Sequence, residues 1–150
     1  MTDFRTVLVT TDFSDTSRKA FPLARDVADK YGAKLVAVYV EEDRLPPLIL
    51  EYTDVGIEHL AEQQHARAVE RLAKFAAEEI PDHLRSELQV ATGSPHEEIV
   101  RLAEQLHADL IVMATHGRGF ISHAVLGSTT ERVVRRAPCP VLVVRDTQDR

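Results

Sequence analysis

Five short runs of β-branched and apolar residues punctuate this sequence of 150 residues, and stretches with helical spacing lie between them. The runs are Thr6–Thr10, Lys34–Val40, a segment within Leu84–Ala91, Leu110–Ala114 and Val141–Val144. Leu110–Ala114 carries no polar residue, and Val7–Val9 lies inside an equally continuous stretch, as expected of strands buried on both faces. Strands that alternate with helices require parallel crossovers. The expectation is therefore an α/β domain, an open parallel five-stranded sheet with helices on both faces. The length suits one domain with one closed core, and no repeat, low-complexity tract or linker divides it.

The helices carry their own punctuation. Ser14 or Asp15 can cap a helix whose apolar positions Ala20, Leu23, Ala24, Val27, Ala28 and Tyr31 recur at helical spacing. Pro22 should kink it or mark a second start, and Gly32 should stop it. Glu41 to Gly56 is the least regular stretch, with Pro46-Pro47 forbidding a helix through that point. Ile57, Leu60, Ala61, Ala68, Leu72, Phe75 and Ala76 then share one face of a long helix that Pro81 ends. Ser94-Pro-His-Glu97 has the spacing of a capping box with proline at the first helical position, and Ser128-Thr-Thr-Glu131 repeats the spacing before a short helix to Arg136.

A formal net charge of −6 argues against a general nucleic-acid or anionic-membrane binder, which needs a basic face. No apolar run approaches the roughly 18 residues of a membrane span, and the first residues lack the pattern of a signal peptide. The single cysteine, Cys139, excludes an internal disulfide framework. A cytoplasmic, reducing location is expected. Seven histidines occur without the close spacing of a zinc motif, so no metal ligands are assigned to them.

In a sheet of this kind ligands sit outside the carboxyl ends of the strands, where the strand order reverses. Two strand-end loops carry suitable chemistry. After the first strand, Thr10, Thr11, Asp12 and Ser14 put three hydroxyls and a carboxylate at the crevice mouth. Asp12 can accept from a ribose hydroxyl or help hold Mg²⁺ on a phosphate; the plainer role is that Asp12 and Ser14 begin the helix. After the fourth strand, Thr115 to Thr129 contains Gly117, Gly119 and Gly127, and Gly127-Ser128-Thr129 leads into a helix N-terminus. That end of a helix offers unpaired N–H donors and a partial positive charge, a ready anion site. Arg118 can reach a phosphate, and His116 serves as a hydrogen-bond partner or packs the loop. There is no P-loop lysine motif, no third glycine of a dinucleotide fingerprint, and no lysine after Lys74.

These segments resemble the universal stress protein family, in its ATP-binding branch, along essentially the whole chain. The resemblance is carried by Val7-Leu-Val-Thr-Thr-Asp-Phe-Ser14, Gly93-Ser-Pro95, Ala108-Asp-Leu-Ile-Val-Met-Ala-Thr-His-Gly-Arg118, Gly127-Ser-Thr-Thr-Glu-Arg-Val133 and Pro138-Cys-Pro-Val-Leu-Val-Val144. The branch is known for a Gly-x2-Gly-x9-Gly-Ser/Thr loop. Gly117, Gly127 and Ser128 match it, and Ala114 stands at the first glycine. Thr10 stands where members often have proline. The resemblance implies a Rossmann-like sheet of order 3-2-1-4-5 and a cofactor, ATP with Mg²⁺. Asp12 would hold the ribose, the Val40 backbone the adenine, and Gly117, Gly127, Ser128 and Thr129 the phosphates; Thr10, Thr11, Met113, Ala114, His116 and Arg118 complete the implied site. It also implies a homodimer through the last strand, Val141–Val144, acting as a sensing or regulatory module in the stress response. Two alternatives stand beside this: a nucleotide-free interaction dimer, and a slow ATPase or self-phosphorylating enzyme.

Overall fold

The computed structural model describes residues 3–42, 54–115 and 126–145. The elements run β1 (Thr6–Thr10), α1 (Asp15–Arg18), α2 (Ala20–Tyr31), β2 (Lys34–Glu41), α3 (Asp54–Glu79), β3 (Ser86–Thr92), α4 (Pro95–Gln105), β4 (Leu110–Ala114), α5 (Ser128–Arg136) and β5 (Val141–Val144). The five strands form one sheet in the order β3-β2-β1-β4-β5, and every pairing is parallel. The expected fold class and strand order are both observed.

The period of two along each strand divides the core between the two faces. Val7, Val9, Leu35, Ala37, Leu110 and Val112 pack on one side with Phe21, Ala24 and Ala28 of α2 and Leu72, Phe75 and Ala76 of α3. Leu8, Val36, Val38, Ile111 and Met113 pack on the other with Ile99, Leu102 and Ala103 of α4 and Val133 of α5. Fully burying each large apolar side chain contributes about 1.5–3 kcal/mol. The central strands β1, β2 and β4 carry most of that burial, and β1 and β4 stay buried to their carboxyl ends.

Local signals are kept or overridden for identifiable reasons. Ser14 is the N-cap of α1, accepting from the Ser17 N–H at 3.1 Å. Pro22 marks a second start: α1 ends at Arg18, and Pro22 is the third residue of α2, where no intrahelical donor is needed. Gly32 ends α2 in the left-handed region at φ 62°. The Ser94 capping box does not form. Its hydroxyl makes no cap bond and pairs instead with His96 Nδ1 at 3.0 Å. The spacing at Ser128 is also overridden: Gly127 is the N-cap and Ser128 the first helical residue, with the Gly127 N–H donating to the Thr115 carbonyl at 2.7 Å. Among the described residues of α3 the buried stripe starts at Ala68; Leu60 and Ala61 are exposed, as is every residue from Glu58 to Arg67.

The end of α4 repeats the Gly32 geometry with a less suitable residue. His107 is exposed at φ 51°, with its N–H donating to Glu104 O at 3.2 Å and the Ala108 N–H to Ala103 O at 2.9 Å. A side chain at left-handed φ costs about 1–2 kcal/mol, part of which glycine gives back as lost chain entropy. His107→Gly is therefore expected to stabilise the fold by about 0.5–1 kcal/mol. The check is a higher urea midpoint at unchanged slope.

Candidate functional site

The strand order reverses between β1 and β4, so the crevice of interest opens above those two strands. Their register pairs Val9 with Val112, and continuing it brings Thr11 level with Ala114. The β1–α1 turn and the β4–α5 loop therefore leave the sheet side by side, one strand spacing of about 4.8 Å apart.

The β1–α1 turn is built from its own hydroxyls. The Phe13 N–H donates to Thr11 Oγ1 at 2.9 Å, and the Ser14 N–H donates to Asp12 Oδ1 at 3.0 Å, joined there by the Ser14 hydroxyl. Ser17 Oγ donates to the Ser14 carbonyl at 2.9 Å, so the 3.0 Å contact between Thr11 Oγ1 and Ser17 Oγ runs from Thr11 to Ser17. Thr10 and Thr11 are buried, and the Thr11 hydroxyl is committed to holding the turn. Asp12 is half-buried with Oδ1 fixed by Ser14. Phe13 is the unexpected member, at φ 66°.

Val40 enters through its backbone. The β1–β2 register stops at Thr10 opposite Val38, and the Thr11 N–H on Val38 O at 3.0 Å follows it. β2 continues through Glu41 beside β3, with Val40 opposite Ala91. Backbone groups two residues apart on a strand point the same way. The Val40 N–H and C=O thus point toward the β1 side, above the level at which β1 turns away. Its side chain packs on the face that also holds Met113.

The second loop is pinned at its base. The Thr115 N–H donates to Val144 O at 3.0 Å, Thr115 O accepts from Gly127, and the buried Thr130 hydroxyl donates to Ala114 O at 2.9 Å. Met113 and Ala114 are buried at the end of β4, and Ala114 pairs in register with Val144 as ordinary strand. Glycine's conformational freedom is not required there. At the start of α5, Gly127 has φ −65° and ψ 156° and no side chain caps the helix. The N–H groups of Ser128, Thr129 and Thr130 have no intrahelical acceptor by position. Ser128 is exposed and Thr129 half-buried. His116, Gly117 and Arg118 lie outside the described residues. Thr115 and Thr130, which fix this base, are missed by sequence reasoning, because nothing local distinguishes them from other threonines.

Other chemistry does not gather here. Among the described residues no group of three or more histidine, cysteine, aspartate or glutamate side chains is placed to hold a metal ion. Burial, and secondarily the Asp109 carboxylate, push the Cys139 thiol up from its ordinary pKa, which disfavours a nucleophilic thiolate. A separate open groove of about 250 Å³ lies on the α3 side of the sheet, between Phe13, Tyr39, Glu41 and the α3 residues Gln64, Arg67 and Arg71.

The profile of the Universal stress protein family matches residues 3–145. The chain belongs to that family. Its members include universal stress protein MJ0531 of Methanocaldococcus jannaschii, 33% identical over 95% of this chain and 82% of that protein. A Thermus aquaticus universal stress protein encoded in a sulfhydrylase 3′ region is 35% identical over 95% of this chain and 99% of its own length. Among solved structures, M. jannaschii MJ0577 superposes with a TM-score of 0.83 at 26% identity, covering 97% of this chain and 98% of that one. UspA from Lactobacillus plantarum gives 0.74 at 32% identity over 95% and 98%. A universal stress protein solved in complex with cAMP gives 0.62 at 29% identity, also over 95% and 98%.

Proposed function

We propose that this universal stress protein binds ATP, with Mg²⁺, in the crevice between the β1–α1 turn and the start of α5, and acts as a nucleotide-dependent sensing or regulatory homodimer in the stress response of the cytoplasm. The observation that carries the reading is the pairing of those two features at adjacent strand ends. A carboxylate fixed at Oδ1 stands on one side, and a helix N-terminus without a side-chain cap stands on the other. The relative solved with cAMP supports an adenine nucleotide as the ligand class.

In this reading the Val40 backbone, aimed over the end of β1, reads the adenine edge, and Met113 and Ala114 form the floor. Asp12 accepts from the ribose hydroxyls. The N–H groups of Ser128 and Thr129 and their hydroxyls hold phosphate oxygens, helped by the helix dipole. Because the Gly127 N–H is given to Thr115, Gly127 contributes by carrying no side chain rather than by donating. His116, Gly117 and Arg118 belong to the phosphate loop by resemblance to the family. Mg²⁺ fits this donor set if the phosphates supply most of its ligands, with Asp12 or the Ser128 and Thr129 hydroxyls nearby, since Mg²⁺ is commonly held by one or two carboxylates plus phosphates. Bound there, it would neutralise phosphate charge. Dimerisation through β5 is supported by its place at the sheet edge with all four apolar residues only half-buried, a surface that invites pairing with a second copy.

The test is to denature freshly purified protein, identify released nucleotide by chromatography, and titrate the emptied protein with Mg-ATP while following its melting. Ligand at a hundred times its Kd stabilises by about 2.7 kcal/mol. A rise in Tm that saturates is expected. Unchanged melting at millimolar Mg-ATP, with no nucleotide released, would overturn the reading.

A further inference from the structure

We propose that Phe13 is the positioning residue for Asp12: its ring, clamped from the opposite face of the sheet, holds the left-handed turn that aims the carboxylate at the ribose. This rests on the assignment of Asp12 made above. A phenylalanine at φ 66° is in a conformation that L side chains resist, so something must hold it there. Two bonds of the turn contribute, Phe13 N–H to Thr11 Oγ1 and Ser14 N–H to Asp12 Oδ1. The third restraint is the ring. It lies 4.5 Å from the Tyr39 ring and 5.6 Å from the Phe75 ring, edge-on to the latter, with the Arg71 guanidinium 4.2 Å from its centroid. These partners come from β2 and α3, so the turn is tied to both.

The coupling to Asp12 is covalent and short. The Ser14 N–H that fixes Asp12 Oδ1 belongs to the peptide immediately after Phe13, so rotation of Phe13 out of the left-handed region carries that donor away. Glycine would adopt the turn freely but anchor nothing. Phenylalanine pays a conformational penalty and supplies the anchor, the expected choice where the turn must be held as well as reached.

The test compares ATP with 2′,3′-dideoxy-ATP, which lacks the ribose hydroxyls, on the parent, Phe13→Gly and Phe13→Ala. Hydrogen bonds to a charged group correspond to roughly tenfold or more in affinity, so the parent should favour ATP by at least that ratio. In Phe13→Ala the ratio should fall toward one with dideoxy-ATP affinity within about twofold of the parent; Phe13→Gly, able to reach the turn, should fall between. A purely structural role predicts equal losses for both nucleotides and a glycine variant no better than alanine. In the nucleotide-free protein, the Ser14 amide should exchange about tenfold faster in Phe13→Ala, as its bond to Asp12 is released. The proposal is overturned if Phe13→Ala keeps both the parent's ratio and its Ser14 protection, if both nucleotides weaken equally, or if the parent binds ATP without ribose preference. The last outcome leaves the nucleotide reading standing. A parent that binds neither nucleotide overturns both.

Discussion

Phe75→Ala will cost the fold about 3–5 kcal/mol, the usual range for removing a large aromatic from a core. Phe75 is 5% exposed and is where α3 meets three other segments. Its ring lies 5.0 Å from Phe21 of α2 at 70° and 5.6 Å from Phe13 of the β1–α1 turn at 72°, both edge-on, and the Arg18 guanidinium of α1 sits 4.4 Å from its centroid. The truncation removes transfer energy and leaves a cavity that Leu72 and Ala76, held by the same helix, cannot collapse to fill. Arg18 stays in place, paired with Glu78 and Glu79, whose hydrogen bonds raise its pKa further; the loss is one of packing rather than charge. Phe75→Leu should recover much of the buried area but not the ring contacts, leaving a deficit of about 1–2 kcal/mol. For a chain of this size the alanine variant should melt roughly 10 °C lower. A loss below about 1.5 kcal/mol would mean that α3 does not dock through this residue.

The readable part of this fold was its inner layer. Val7–Val9, Leu35–Val38 and Leu110–Ala114 are buried on both faces, and that condition leaves an unbroken apolar run that any register would show. Strand order is a long-range property; it came from resemblance and could not have come from the runs. The misread signals were local patterns that a tertiary partner outbid. His96 takes the Ser94 hydroxyl, and the Thr115 carbonyl, twelve residues away along the chain, takes the Gly127 N–H and moves the start of α5 back by one residue. The helical spacing of Leu60 and Ala61 described a face correctly but not what lies beneath it, since among the described residues α3 buries that face from Ala68 onward. At the candidate site, the turn at Asp12 and the helix start at Gly127-Ser128 were legible from their residue types, although the cap falls on Gly127 rather than Ser128. Phe13 was not. Its ring is held by Tyr39, Arg71 and Phe75, which are far from it in sequence. The direction of the Val40 backbone over the end of β1 depends on β2 running past β1 to Glu41, a detail of strand ends that pattern reading does not resolve.

Gly127→Asp should separate stability from binding by moving them in opposite directions. Gly127 is an N-cap without a side chain, in an extended conformation at φ −65° that any residue adopts, so the substitution carries no backbone strain. Aspartate is among the best N-caps and exceeds glycine by a few tenths of a kcal/mol, so the urea midpoint should hold or rise slightly. The same carboxylate would accept the α5 N–H groups that the proposed site offers to phosphate, and would set a negative charge against the nucleotide's own. Like charges 4 Å apart near a protein surface repel by about 4 kcal/mol, which predicts at least a hundredfold loss of Mg-ATP affinity. Gly127→Asn divides the two causes, because asparagine caps as well but carries no charge. Its loss should be the smaller, and the difference between the two variants should shrink as salt screens the repulsion. If Gly127→Asp keeps its stability and also binds ATP as the parent does, phosphate is not held at the start of α5, and the site must be sought away from the helix N-terminus.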